Sequence, residues 1–219
     1  MQRLPSKSQE VLKSNFKLSQ KLNILIIFLF SMNSKRVILV HGWDGNPNDA
    51  WKPWLKKELT KRGIDFITPQ MPGGEHPNLS EWIKTISDNA GNPNENTFFI
   101  GHSLGCVAIA HYLGSLEESA KVGGCVLIAG FYEDLNEPSI SNFTDVEPDF
   151  EKIKKISKKF IFIASEDDDA VPFDKAVNFQ KKLDAKLVID NGKSHFSETD
   201  KVKKLPSALQ ALEELFNGA

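Results

Sequence analysis

Cysteine is nearly absent from this chain: Cys106 and Cys125 are the two in 219 residues. Two cysteines cannot build a disulfide framework. Each lies in an apolar run, where a buried, inert thiol is expected. No CxxC pair and no Cys/His cluster has metal-ligand spacing, so no metal and no cofactor is expected. A basic excess is also missing. Lys and Arg number 27 against 29 Asp and Glu, a net charge of −2, which excludes the ordinary basic kind of nucleic-acid binder. The lysines Lys152, Lys154, Lys155, Lys158 and Lys159, and again Lys201, Lys203 and Lys204, read as solvated faces balanced by acids elsewhere. No stable membrane insertion is expected either. The apolar run NILIIFLF (Asn23 to Phe30) has eight residues, and a spanning helix needs about 18 or more. Internal repeats and linkers are absent.

That run follows a long polar stretch and precedes no small-x-small cleavage site, so a signal peptide is a poor fit. Two readings remain: an extra strand or membrane-peripheral element, or translation from upstream of a true start at Met32. The second is preferred, because the recognisable fold begins directly after Met32. Residues 1–33 are therefore read as an extension and 34–219 as one domain, expected to be cytoplasmic.

The rest has an ordinary globular composition, 40% hydrophobic and 26% charged. From Lys35 onward, short apolar runs alternate with amphipathic segments. Strands are expected at 37–40, 65–68, 97–100, 125–129, 160–164 and 186–189. Helices are expected at 50–62, 79–89 (capped by Asn78 or Ser80), 104–116, 151–157, 173–183 and 205–216. Continuous apolar strands, each followed by a helix, imply a mostly parallel sheet of six strands with helices on both faces. Residues 131–150 show no period. Their aromatics Phe131, Tyr132, Phe143 and Phe150 are candidates for lining a minimal cap.

Ligands bind such sheets beyond the carboxyl ends of the strands. Distinctive polar residues gather there: His41, Gly42 and Trp43; Gly101, His102 and Ser103; Glu166 to Asp169; and His195. Gly101-His102-Ser103-Leu104-Gly105 fits G-x-S-x-G. The pattern alone arises by chance in on the order of one chain in ten. Placed between the strand TFFI and a helix, it reads as a nucleophile elbow with Ser103 exposed at a strained turn. A serine needs a base. Of the five histidines, His102 adjoins the serine and points away, His111 lies inside a helix, and His76 sits in a Gly/Pro-rich loop. His41 is better placed to shape the oxyanion loop. His195, in the loop after the last strand, is the candidate base. The orienting acid comes from Glu166 to Asp169; the D-x-x-V-P stretch 168–172 favours Asp168 over Asp167 or Asp169, with Asp190 the outsider. No EF-hand spacing supports a calcium loop. The order Ser, Asp, His is that of α/β-hydrolases. Oxyanion donors are expected to be the backbone N–H of Leu104 and that of Trp43, with Gly42 second. Gly42, Trp43 and His102 are the substrate-contacting candidates.

These segments carry a resemblance. VILVHGWDGNP (37–47), WKPWLKKEL (51–59), QMPGG (70–74), FFIGHSLG (98–105), ASEDDDAVPF (164–173) and GKSHF (192–196) together resemble the small serine hydrolase family of retinoblastoma-binding protein 9 and its bacterial relatives. The resemblance runs from about residue 35 to 216. It implies a compact α/β-hydrolase fold with a minimal cap, a triad of Ser103, Asp168 and His195, and esterase-like chemistry on a small-molecule acyl substrate. Thioester or amide hydrolysis on the same triad is the catalytic alternative. A protein-interaction module on this fold, with a protein partner, is the non-catalytic one.

Overall fold

The apolar runs become strands of one sheet. In the computed structural model, which describes residues 34–218 together with Gln20, they are β1 (Arg36–Val40), β2 (Asp65–Ile67), β3 (Thr97–His102), β4 (Gly124–Ile128), β5 (Phe160–Ala164) and β6 (Lys186–Ile189). The run 23–30 and the start-site reading of Met32 lie outside the described residues. The helices are α1 (Lys52–Lys61), α2 (Leu79–Ala90), α3 (Leu104–Ser115), α4 (Phe150–Ile156), α5 (Phe173–Lys182) and α6 (Pro206–Phe216). Strand order is β2-β1-β3-β4-β5-β6, and every neighbouring pair is parallel.

Strand side chains alternate between two apolar layers, as the period of a strand requires. Ile38, Val40, Phe99, Leu127 and Phe162 pack with α2 to α5 on one face. Val37, Leu39, Ile100, Val126 and Ile163 pack with α1 and α6 on the other. This two-sided burial is why the central strands read as unbroken apolar runs. The edge strands differ: β2 and β6 are short and begin with the exposed Asp65 and Lys186, which blunts an open edge against pairing with another chain.

The structure refines several boundaries. Asn78, not Ser80, caps α2, its Oδ1 accepting the N–H of Ser80 at 3.0 Å and of Glu81 at 3.3 Å. β3 extends to His102, because Gly101 and His102 still pair with Leu127 and Ile128. Residues 131–150 divide between cavity and core. Residues Pro138–Phe143 form a short 3-10 helix. Phe143 is buried against Trp82, with ring centroids 5.2 Å apart. Phe150 and Tyr132 pack on Phe179. Most of these aromatics fill the core; Phe131 is the one that lines a cavity, beside Leu135 and Ile140. The missing period reflects irregular backbone.

The chain leaves β1 toward β2 on one side and then crosses to β3 on the other. The switch point, where crossovers diverge and leave a crevice, therefore lies beyond the ends of β1 and β3, with Val40 level with Gly101. Two glycines let α3 start there. A Cβ on Gly105 would stand 2.2 Å from the Val40 carbonyl oxygen, and one on Gly101 2.8 Å from Cys106 Cα. Gly114, in the same helix, has room for a methyl group, its nearest neighbours at an ordinary contact distance of 4.0 Å from a would-be Cβ. Gly105→Ala is expected to destabilise by about 3 kcal/mol or more, as forced overpacking against backbone does. Gly114→Ala is expected to stabilise by up to about 1 kcal/mol through helix propensity. Urea unfolding of the two variants measures both.

Candidate active site

Ser103 occupies the turn between β3 and α3 with φ 54° and ψ −123°, a region that side-chain-bearing residues avoid. Its N–H donates to the Ile128 carbonyl at 2.9 Å, so the strained turn is tied to the next strand. Leu104 follows as the first residue of α3, where N–H groups lack helical acceptors. Among the described residues, neither the Leu104 nor the Trp43 N–H donates to a backbone acceptor outside regular elements. Gly42 packs directly on the serine: a Cβ there would lie 3.0 Å from Ser103 Cβ.

His41 braces this loop. Its Nδ1–H donates to the Gly42 carbonyl at 2.8 Å. Its Nε2 accepts the Met71 N–H at 2.9 Å and lies 3.2 Å from the Gln70 amide nitrogen. These partners require the neutral ring, and burial holds its pKa below the usual histidine range, partly offset by the Gly42 contact.

His195 Nδ1 lies 3.0 Å from both carboxylate oxygens of Asp168. The Asp168 side chain is 4% exposed, and its Oδ1 also accepts the N–H groups of Ala170 at 2.9 Å and Val171 at 2.8 Å. Asp190 is elsewhere engaged, by the Ser207 hydroxyl at 2.6 Å. The other three acids of the run, to which sequence reasoning gave no task, hold the histidine loop. Glu166 exchanges hydrogen bonds with Asn191 at 2.9 and 2.7 Å. Asp167 accepts the Gly192 N–H at 2.9 Å and the Ser194 N–H at 3.4 Å. Its pKa is lowered, first by the Ser165 hydroxyl and then by Gly192. Asp169 accepts the Ser194 hydroxyl at 2.7 Å. The legible signal was a polar, donor-rich NGKS loop facing an acid-rich one.

His102 is buried, and its Nε2–H donates to the His195 carbonyl at 2.8 Å. The two rings sit 5.1 Å apart, and Trp51 stands edge-on to His102 at 6.1 Å. Trp51 also holds the loop that carries His195 through its indole N–H, 3.0 Å from the Phe196 carbonyl. Gly42, Trp43, His102, Ser103, Leu104 and His195 all border one cavity of about 580 Å³; Asp168 stands behind His195. Trp43 is half-exposed at the mouth, its indole donating to the Glu75 carbonyl at 3.0 Å. Sequence reasoning missed Lys52, which lines the same cavity and is 3% exposed. A lysine at the first turn of a helix, against the macrodipole, was the available signal. Among the described residues, no cluster of ligating side chains has the makings of a metal centre.

Burial, followed by the charge of His195, pushes the His102 pKa well below 6.5, and burial lowers that of His111. With His41, these rings stay neutral in the fold and take a proton in the unfolded chain below about pH 6.5. The unfolded state then binds more protons, so their contribution is intact above pH 6.5 and is lost as pH falls toward the folded values. Thermal unfolding between pH 7 and about pH 5 should show a falling midpoint, each such group contributing up to roughly 1.4 kcal/mol per pH unit. His102→Gln, which keeps a donor, should flatten the slope.

Comparison with known proteins gives this geometry a family. A family model described as "Serine hydrolase" matches residues 37–214. YdeN of Bacillus subtilis (strain 168) is 33% identical over 185 residues, spanning 84% of this chain and 97% of that one. "Serine hydrolase RBBP9" of Rattus norvegicus is 26% identical over 166 residues, spanning 74% and 82%. The crystal structure of the ydeN gene product superposes with a TM-score of 0.81 at 34% identity, covering 84% of this chain and all (100%) of that one. Est1E from Butyrivibrio proteoclasticus, at 16% identity, 82% and 89% coverage and a TM-score of 0.61, shares the fold. The chain belongs to the serine hydrolase family, on an α/β-hydrolase fold.

Proposed function

We propose that this hydrolase cleaves small carboxylic esters through an acyl-enzyme on Ser103. One observation carries the reading. His195 commits Nδ1 to Asp168 and borders one cavity together with the strained Ser103. In this mechanism Nε2 takes the Ser103 proton as Oγ attacks the ester carbonyl carbon. The N–H groups of Leu104 and Trp43 receive the negative charge on the carbonyl oxygen. His195 then gives its proton to the departing alcohol. Water, deprotonated by the same nitrogen, attacks the acyl carbon; the bond to Ser103 Oγ then breaks, Oγ takes that proton back from His195, and the acid is released. Asp168 holds the imidazole tautomer and offsets its positive charge. Every step moves protons among these residues, substrate and water, and none calls for a cofactor.

The cavity supports a small substrate: about 580 Å³ lies within the usual range for small-molecule sites. Phe131, Leu135, Ile140 and Val171 give it an apolar wall for an acyl chain. Thioesters and amides would use the same atoms, and a panel of acyl nitrophenyl esters, thioesters and anilides ranks them. The family name and the YdeN likeness support hydrolysis itself; the ester preference rests on the cavity.

A fluorophosphonate probe should label the wild type and fail to label Ser103→Ala. Equal labelling of the two would overturn the reading. Asp168→Asn should lower kcat by roughly 10⁴, the cost of a wrong tautomer. Asp167→Asn, which only loosens the loop, should cost roughly 10-fold to 100-fold, within what a misplaced group costs. Ester hydrolysis under saturating substrate separates the two.

A further inference from the structure

Lys52 is the buried cation of the cavity. It opens α1, with Trp51 as the N-cap and Pro53 behind it, and only 3% of its side chain is exposed. An ammonium carries three donors. Among the described residues its hydrogen-bond and ion-pair partner is Asp49, its Nζ stands 5.8 Å from the centre of the Trp51 ring, and the residue borders the cavity beside His102 and Ser103. Asp49 is 28% exposed, so its charge is shared with solvent, whereas the ammonium is not. The helix start adds positive potential at the same point, since its first N–H groups and dipole favour an anion. A lysine there gains nothing from the helix and loses hydration. Burial accordingly pulls its pKa down, with Asp49 and Glu198 acting against this.

We propose that Lys52 is a specificity-determining residue, whose ammonium receives a carboxylate carried by the substrate away from the scissile carbonyl. The enzyme then favours half-esters of dicarboxylic acids over neutral esters of equal length. This rests on the Ser103 reading above. Three further acids border the cavity and oppose an anion: Asp44, Glu137 and Glu198. Asp44 and Glu198 are exposed and Glu137 is half-buried. Glu198 is already bound to the Ala50 N–H at 2.6 Å and to Lys203, and Glu137 accepts the Ser139 N–H at 3.0 Å. Solvated acids act through high dielectric and screening, while the buried ammonium acts at short range in a poorer dielectric. The rim acids weaken the capture of an anion, and the short-range contact with Lys52 is what offsets them.

Calorimetric binding to the Ser103→Ala protein, which cannot turn over, tests this with monomethyl adipate and methyl hexanoate. Monomethyl adipate is expected to bind about tenfold more tightly, the worth of one charge-assisted hydrogen bond. Adding Lys52→Met should erase that difference. Adding Asp49→Asn should enlarge it. Lys84→Met, on the exposed face of α2, should leave it unchanged, and thermal melts confirm that each variant is folded. Equal binding of the two esters, no measurable binding of either, or a preference that survives Lys52→Met within about threefold would each overturn the proposal. Fluorophosphonate labelling of the wild type judges the Ser103 reading separately, since the probe carries no carboxylate. In turnover, the Lys52→Met effect should fall on KM for the half-ester; a purely structural role would change both esters alike.

Discussion

The site depends on one close approach: the first turn of α3 lies against the end of β1. A Cβ at Gly105 would overlap the Val40 carbonyl at 2.2 Å, so the helix seats there because residue 105 has none. The contact fixes where α3 begins. That start forces residue 103 to bridge strand and helix within one residue, at φ 54°. The same bridge leaves the Leu104 N–H without a helical acceptor. It also places Gly42, just beyond β1, against the serine. A nucleophile candidate, an unspent donor and a glycine-lined approach thus follow from a single packing constraint. The site needs no separate scaffold.

A second constraint brings the remaining candidates in. His195 sits beyond β6, an edge strand with exposed ends, where a loop is free to wander and ordering it costs entropy. The acid run after β5 offsets that cost residue by residue. Glu166 meets Asn191, Asp167 meets Gly192 and Ser194, Asp168 meets His195, and Asp169 meets Ser194. Four adjacent carboxylates would repel one another strongly if left to themselves. Facing a loop of donors, they become a clasp, and only one of them needs to touch the imidazole. Trp51 and His102 pin the same loop from the opposite side.

Much of this was legible. Both faces of the sheet are covered, so β1, β3, β4 and β5 appear as unbroken apolar runs, and each strand end announces itself by a change to glycine, histidine or acid. The G-x-S-x-G turn was readable because both flanking elements were strong. Asp168 stood out through the D-x-x-V-P stretch, whose Ala170 and Val171 amides do converge on its Oδ1. Residues 131–150 were not legible. Their aromatics carry no period because they enter the core from irregular backbone, each from a different direction. Lys52 was hidden for a related reason. In sequence it belongs to a lysine-rich helix, and only its place in the first turn sets it apart from its solvated neighbours.

The histidines show how the fold separates chemistry from support. Four of them, His41, His102, His111 and His195, make defined contacts with the backbone or a carboxylate. His41, His102 and His111 give a ring nitrogen to a carbonyl, and burial keeps each neutral. His195 alone of the four gives its nitrogen to an acid, the Asp168 carboxylate. Beside it, His102 is held neutral by burial and by the His195 charge itself. A proton gained at His195 during the proposed reaction therefore raises the cost of one at His102. The neighbouring ring thus remains a strut for the loop that carries His195.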